Sequence, residues 1–93
     1  MVIERIQRDG NLALLDFDET DKDDETRDRL YCIAYVDPEE EEEDHPLMLI
    51  WRRGKAIRSR SIGYHPEYGK GITDVMAFAR LMAEAGELLR KDD

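Results

Sequence analysis

Residues 30–36, LYCIAYV, decide the fold of this chain. All seven positions are apolar and several are β-branched or aromatic, a pattern typical of a strand that is covered on both faces in the interior of a sheet. Such a strand needs a neighbour on each edge. The segments before and after it are therefore expected to supply further strands.

The N-terminal side of this strand predicts a hairpin. Residues 2–8 and 11–17 flank Asp9-Gly10, a strong turn dipeptide. Apolar side chains occupy both alternating sets of positions in the second segment, so this strand too is expected to be buried on both faces.

The C-terminal side predicts a second hairpin, from residues 47–53 and 56–62. Gly54-Lys55 is a Gly-X pair suited to a two-residue turn, and that turn pairs Trp51 with Arg58. Because side chains alternate along a strand, one face of the hairpin would be both aromatic and basic. The predicted nucleic-acid-binding patch consists of Trp51, Arg52, Arg53, Lys55, Arg58 and Arg60.

Residues 72–91 contain no proline and predict a helix, with Thr73 as its N-cap. The apolar positions of this helix cover an arc about twice the ~100° that packing on one sheet requires. Either long loops or a second copy of the chain would cover the remainder, and two-fold dimers are the commonest oligomers. The predicted dimer face includes Phe78, Leu81 and Leu88.

Together these elements predict one α+β domain over residues 1–93. Its antiparallel sheet has about five strands in the order ββ–β–ββ, and one C-terminal helix packs on one face. Ninety-three residues are too few for a second core. No apolar run approaches a membrane span, and the charged N-terminus does not match a secretory signal, so a soluble cytoplasmic protein is expected.

The negative charge of the chain is concentrated in one stretch. Residues 16–44 hold 15 Asp or Glu against 3 Lys or Arg, whereas the other residues are slightly basic and the whole chain carries −9. The acids fall in two predicted loops, residues 18–28 and 37–45. The predicted acidic partner-binding residues are Asp18, Glu19, Asp21, Asp23, Asp24, Glu25, Glu39, Glu40, Glu41, Glu42, Glu43 and Asp44.

Charge held in blocks bears on partners and on solubility. We expect a non-enzymatic binding protein whose acidic loops dock on a basic surface of a nucleic-acid-handling partner. A DNA-mimic inhibitor from a phage or mobile element, active against host defence, fits this expectation, and so does an immunity protein that neutralises a basic nuclease. The alternatives are a nucleic-acid-binding module that uses the basic hairpin, residues 51–60, and an accessory subunit of a larger assembly.

Residues 14–20, LLDFDET, place Asp-x-Asp-x-Thr after an apolar strand. This motif resembles the nucleophile motif of the haloacid-dehalogenase-type phosphatases. The resemblance implies Asp16 as the nucleophile, Asp18 as the group that handles the leaving-group proton, and Mg²⁺ between them. It covers seven residues only. That family needs a parallel sheet with crossover helices, which the other predicted elements do not provide.

Other chemistry finds little support in the sequence. The two histidines, His45 and His65, have no second ligand at zinc spacing, and the acidic runs lack the glycine and glutamate positions of a calcium loop. The sequence 69–71, Gly-Lys-Gly, before a helix start favours an anion only weakly. The lone Cys32 is expected to be a core residue. No cofactor and no metal site are therefore predicted.

Overall fold

A computed structural model of the chain describes residues 2–18, 29–37, 39–40, 43–62 and 75–91. The strands β1 to β5 form one antiparallel sheet in the order β1-β2-β3-β4-β5, and the helix α1 packs against it. The predicted α+β fold is thereby confirmed. The elements are β1 (Val2–Asp9), β2 (Leu12–Asp18), β3 (Leu30–Val36), β4 (Asp44–Arg53), β5 (Ala56–Ser61) and α1 (Val75–Arg90).

Both hairpins turn at a glycine with positive φ. Gly10 and Gly54 each have φ of 63°, a backbone conformation that glycine adopts without steric penalty at the first central position of a two-residue turn. The second turn lies where the sequence predicts it. The first turn is Gly10-Asn11, one residue later than predicted, because glycine occupies the first central position and Asp9 pairs with Leu12.

The register of the second hairpin is as predicted. Trp51 lies opposite Arg58, and Leu49 lies opposite Arg60. A two-residue turn fixes the register of the two strands that it connects. The register in turn fixes which face of the sheet each side chain occupies.

β4 begins three residues earlier than predicted, at Asp44. The register of β3 against β4 shifts between Ile33 and Ala34, and Ala34 lies opposite Pro46. A bulge is one of the few places where a strand accommodates proline, which has no N–H to donate. The predicted loop 37–45 therefore ends before Asp44, and the predicted loop 18–28 begins after Asp18, which is still part of β2.

The sheet has apolar residues on both faces. Leu12, Ile33 and Ile50 belong to the cluster beneath α1, which we call the helix-side core. Leu15 and Cys32 belong to a smaller cluster on the opposite face, which we call the second core. β2 and β3 contribute to both clusters, as the sequence predicts for strands buried on two faces.

One narrow stripe of α1 faces the sheet. Its buried residues recur every fourth position, and two of the four are alanines, which allow the helix to approach the strands closely. They are Ala77, Leu81, Ala85 and Leu89. Residues 72–74, including the predicted N-cap Thr73, lie outside the described part of the chain.

Two polar contacts fix the ends of the helix on the sheet. The guanidinium of Arg80 bonds both carboxylate oxygens of Asp9, with Nη2 at 2.9 Å from Oδ1. Near the other end, Arg52 donates from Nη1 to the carbonyl oxygen of Leu89 at 3.2 Å. The helix therefore runs diagonally from β1 toward the end of β4. The one helix among the described residues is too short and too polar to cross a bilayer.

Candidate binding surfaces

The structure describes four of the predicted acidic contact residues together with their side chains: Glu39, Glu40, Glu43 and Asp44. Asp18 ends β2, and only its backbone is described. The remaining predicted acidic residues lie outside the described residues. They are Glu19, Asp21, Asp23, Asp24, Glu25, Glu41 and Glu42.

Glu39, Glu40 and Glu43 lie between β3 and β4, where hydrogen bonds to the backbone order the chain. The N–H of Glu39 donates to Oδ1 of Asp37 at 2.9 Å, and the N–H of Glu40 donates to the carbonyl oxygen of Asp37 at 3.1 Å. The N–H of Glu43 then donates to the carbonyl oxygen of Glu40 at 2.9 Å. Aspartate is common at this position of a turn because its side-chain oxygen can accept a hydrogen bond from the backbone N–H two residues later. We call Asp37, Glu39, Glu40 and Glu43 the acidic turn.

Carboxyl groups in the acidic turn are crowded enough to affect one another. A side-chain hydrogen bond between Glu40 and Glu43 raises the pKa of Glu40 above its ordinary value, and the negative charges of Glu43 and Asp37 act in the same direction. Carboxyl groups this close to one another form a concentrated negative site when they are ionised. Glu39, Glu40 and Glu43 are all exposed, so this charge faces solvent.

Asp44 has a different role from its neighbours in sequence. Its carboxylate accepts from Arg5, with Arg5 Nη2 at 2.8 Å and Nε at 3.1 Å from the same oxygen. The side chain of Asp44 is only 19% exposed. The carboxylate of Asp44 is therefore held against Arg5 within the fold, and its role as a partner contact stays a prediction.

The basic hairpin places its cations on two faces of the sheet. Arg53, Arg58 and Arg60 lie with Trp51 on the face of the second core, and we call these four residues the basic strip. The three arginines are exposed, and within the described part of the chain none of them forms an ion pair. Lys55 lies in the turn and is also exposed.

Arg52, a member of the predicted patch, lies on the opposite face of the sheet from the basic strip. It points to the face that carries α1, where it donates to the carbonyls of Gly54, at 2.6 Å, and of Leu89. The last carbonyls of a helix lack partners within the helix, and a cation there also complements the helix dipole. Arg52 is thus a C-terminal cap for α1.

The predicted dimer face is only partly available. Leu81 is fully buried in the helix-side core, so it contacts the sheet of its own chain and not a second copy. Phe78 and Leu88 are half-buried and pack against the same core. Val75 and Met76, which are 69% and 66% exposed, are the described apolar residues that α1 exposes most. The apolar arc of α1 is therefore partly exposed, and the dimer contact through Phe78 and Leu88 stays a prediction.

The structure also locates the side chains considered for catalysis. Cys32 is buried in the second core, and burial raises the pKa of its thiol to about 11. At neutral pH it is therefore a thiol rather than a nucleophilic thiolate. Asp16 lies within β2, which pairs antiparallel on both edges, so the parallel sheet implied by the phosphatase resemblance is not formed. Among the described residues, no group of three or more His, Cys, Asp or Glu side chains is placed to hold a metal ion.

Comparison with known proteins adds no relative: no protein-family model, curated protein or solved structure matches this chain. The candidate binding surfaces are therefore argued from the geometry of this chain alone.

Two features of these surfaces were not predicted from the sequence. The Arg52 cap joins residues 37 positions apart, and nothing in the local sequence distinguishes Arg52 from Arg53 beyond the alternation of the strand. The interaction of Glu40 with Glu43 does have a local signal, because the two acids stand three positions apart in a run that follows Asp37.

Proposed function

We propose that the chain is a non-enzymatic protein-binding module that docks its acidic loops on a basic surface of a nucleic-acid-handling partner. The observation that carries this proposal is the crowding of Glu40 and Glu43, whose interaction raises the pKa of Glu40. Repulsion between these carboxyl groups works against folding at neutral pH. Residues that oppose local stability in this way are typical of functional positions.

The position of the acidic turn in the sheet also supports docking. The acidic turn connects β3, the central strand, to β4, so its backbone is held by the most buried part of the sheet. Clustered charge on a fixed support steers a cationic partner and accelerates association. The net charge of −9 adds a long-range attraction in the same direction.

The partner class is inferred by analogy with the charge of DNA. Duplex DNA presents about one negative charge per 1.7 Å, and proteins that bind it carry matching cationic grooves. A carboxylate cluster can occupy such a groove, as a DNA-mimic inhibitor or an immunity protein for a basic nuclease would. Cys32 is held as a buried thiol, so this side chain is not available as a nucleophile.

The test compares two variants that carry the same change in net charge. The first replaces Glu39, Glu40 and Glu43 by glutamine. The matched control replaces three acids on other elements, Glu4, Glu84 and Glu87, by glutamine. Binding to a panel of purified basic nucleases and DNA-binding proteins is measured by biolayer interferometry over a range of salt concentrations.

We expect the acidic-turn variant to lose association rate and salt dependence, while the control binds nearly as the native chain does. Equal losses in both variants would show that only net charge matters. If neither variant differs from the native chain, or if no basic protein binds, the proposal is wrong.

A second candidate function, nucleic-acid binding, is favoured by the basic strip. Its three arginines are exposed beside the Trp51 ring. Proteins use this combination to bind single-stranded nucleic acids, since the cations contact phosphates and the ring stacks on bases. A gel shift with a single-stranded oligonucleotide at low salt tests it. Replacing Arg58 and Arg60 by alanine should abolish the shift, whereas the control pair Arg90→Ala and Lys91→Ala should leave it. A blank gel for the native chain excludes this function.

Self-association, or assembly as a subunit, is a separate proposal that rests on the exposed apolar residues Val75 and Met76. Light scattering over a range of protein concentrations measures the mass in solution. A dimer that Val75→Glu and Met76→Glu convert to a monomer would support this contact. A native chain that stays monomeric at every concentration would exclude the homodimer.

A further inference from the structure

β5 offers an open edge of the sheet. It is the last strand in the order, no described residue pairs with its outer side, and all of its residues except Ile57 are exposed. The N–H of Ile62 donates inward to the carbonyl of Leu47. Because backbone groups alternate along an antiparallel strand, those of Ile57, Ser59 and Ser61 point away from β4.

The other edge of the sheet differs in ways that oppose strand addition. β1 contains a register shift between Arg5 and Gln7. Its charged residues Arg5 and Asp9 are already engaged by Asp44 and Arg80. Bulges and engaged charges protect an edge from pairing. β5, in contrast, pairs with β4 without any register shift.

An apolar groove lies beside the open edge on the helix side. It has a volume of about 350 Å³ and runs between β5 and α1. Its floor includes Gly86, whose missing side chain leaves Ile57 accessible. The lining residues are Ile57, Met82, Ala83, Gly86, Glu87 and Arg90.

The opposite face of the same edge is cationic. Arg58 and Arg60 point to the face of the second core, and within the described part of the chain neither forms an ion pair. Two copies of β5 paired antiparallel about Ser59 would set these arginines against each other, which disfavours a second copy as the occupant. An acidic strand would instead place a carboxylate opposite each arginine.

We propose that the β5 edge binds an extended peptide in which acidic residues alternate with apolar ones, added to the sheet as a sixth strand. Acidic side chains pair with Arg58 and Arg60 on one face. An apolar side chain opposite Ile57 enters the groove beside α1. The backbone groups of Ile57, Ser59 and Ser61 form the ladder, which provides affinity while the two faces provide specificity. This surface is separate from the acidic turn and does not depend on it.

The experiment uses the full chain and a short synthetic peptide in which aspartate alternates with valine, followed by fluorescence anisotropy of a label on the peptide. The sequence control replaces each aspartate by lysine. Two further peptides carry backbone N-methyl groups on every second residue, one in each frame. In an antiparallel pair only alternate residues of the peptide direct their N–H groups at β5. Methylating those N–H groups should weaken binding about tenfold or more, whereas methylating the other set should leave it unchanged.

Protein variants test the same contacts. Ser59→Pro removes an outward N–H without touching the β4 ladder, and we expect it to abolish binding, while Ser59→Ala preserves it. Arg58→Glu with Arg60→Glu should abolish binding of the aspartate peptide and permit that of the lysine peptide. Circular dichroism verifies that each variant is folded. Should Ser59→Pro fail to fold, the N-methylated peptides decide the question.

Three results would overturn the proposal. One is equal binding of both N-methylated peptides, which would mean charge attraction without a ladder. Another is full binding by folded Ser59→Pro. The third is binding of a single-stranded oligonucleotide at Arg58 and Arg60 with no binding of the aspartate peptide. The acidic-turn variant retains the β5 edge, so loss of peptide binding and loss of the basic partner are distinguishable.

Discussion

Arg5 and Asp44 form an ion pair across the second face of the sheet, although they belong to the first and fourth strands. Strand pairing through Leu15 and Cys32 sets Arg5 level with Leu49, five residues beyond Asp44. A flat sheet would hold their backbones about 20 Å apart, beyond the reach of the two side chains. The sheet must therefore curl over the second core. The ion pair links β1 to the first residue of β4 across the concave side of this curl.

Breaking the Arg5–Asp44 pair should loosen this curl. We expect Arg5→Ala and Asp44→Asn each to lower the free energy of unfolding, with a coupling of about 1 kcal/mol between them, near the upper end for ion pairs that remain partly exposed. A double-mutant cycle by urea denaturation measures that coupling. Additive effects of the two substitutions would mean that the pair contributes nothing to the curl.

The side of α1 that holds the fold can be tested with adjacent residues. Leu81→Ala should destabilise the chain by about 3 kcal/mol, because Leu81 is fully buried and its truncation leaves a cavity. Met82→Ala should cost less than about 1 kcal/mol, because Met82 is 39% exposed. Thermal and urea unfolding compare the two variants. Similar losses would mean that the helix packs through a different face.

Gly86→Ala should stabilise the chain. Glycine inside a helix is about 1 kcal/mol less favourable than alanine. The added Cβ would lie 3.9 Å from Cδ1 of Ile57, an ordinary contact, so no clash offsets the gain. The change is read as a higher midpoint of urea unfolding. A lower midpoint would show that the space beside Ile57 is closed in solution.

Two carboxylates should respond to pH in opposite directions. The hydrogen bond from Arg80 lowers the pKa of Asp9 below its ordinary value of 3.8, so its stabilisation is present at neutral pH and is lost as the pH falls through the lowered pKa. Glu43 raises the pKa of Glu40 above 4.5, so the folded state is favoured while Glu40 is protonated and loses that advantage as the pH rises through the raised pKa.

Measured at neutral pH, Asp9→Asn should therefore lower stability and Glu40→Gln should raise it. The Glu40→Gln difference should shrink first, as the pH falls through the raised pKa of Glu40. The Asp9→Asn difference should shrink only at lower pH, as the pH falls from 3.8 toward the lowered pKa of Asp9. Unfolding curves at neutral and acidic pH check the two signs. A destabilising Glu40→Gln at neutral pH would show that Glu40 makes a favourable contact instead of a repulsive one.

The sequence predicts the five strands and the register of the second hairpin because these depend on local information. The continuous apolar run 30–36 marks a strand buried on both faces, and Gly54 sets the second turn, whereas the first turn lies one residue later than predicted. The contacts of Arg5, Arg52 and Arg80 were not predictable, since each joins segments at least 37 residues apart. Arginines that serve the fold are indistinguishable in sequence from those left for binding, and for this reason the predicted patch includes Arg52.

The strand order described above has a kinetic consequence. Every strand pairs with its neighbour in the chain, so each pairing closes only the loop between consecutive strands. Short closures lose little chain entropy, and topologies rich in them fold quickly. During synthesis the entire sheet leaves the ribosome before α1 does. The helix-side core therefore stays uncovered until α1 has been synthesised, while the curl closed by Arg5 and Asp44 can form first.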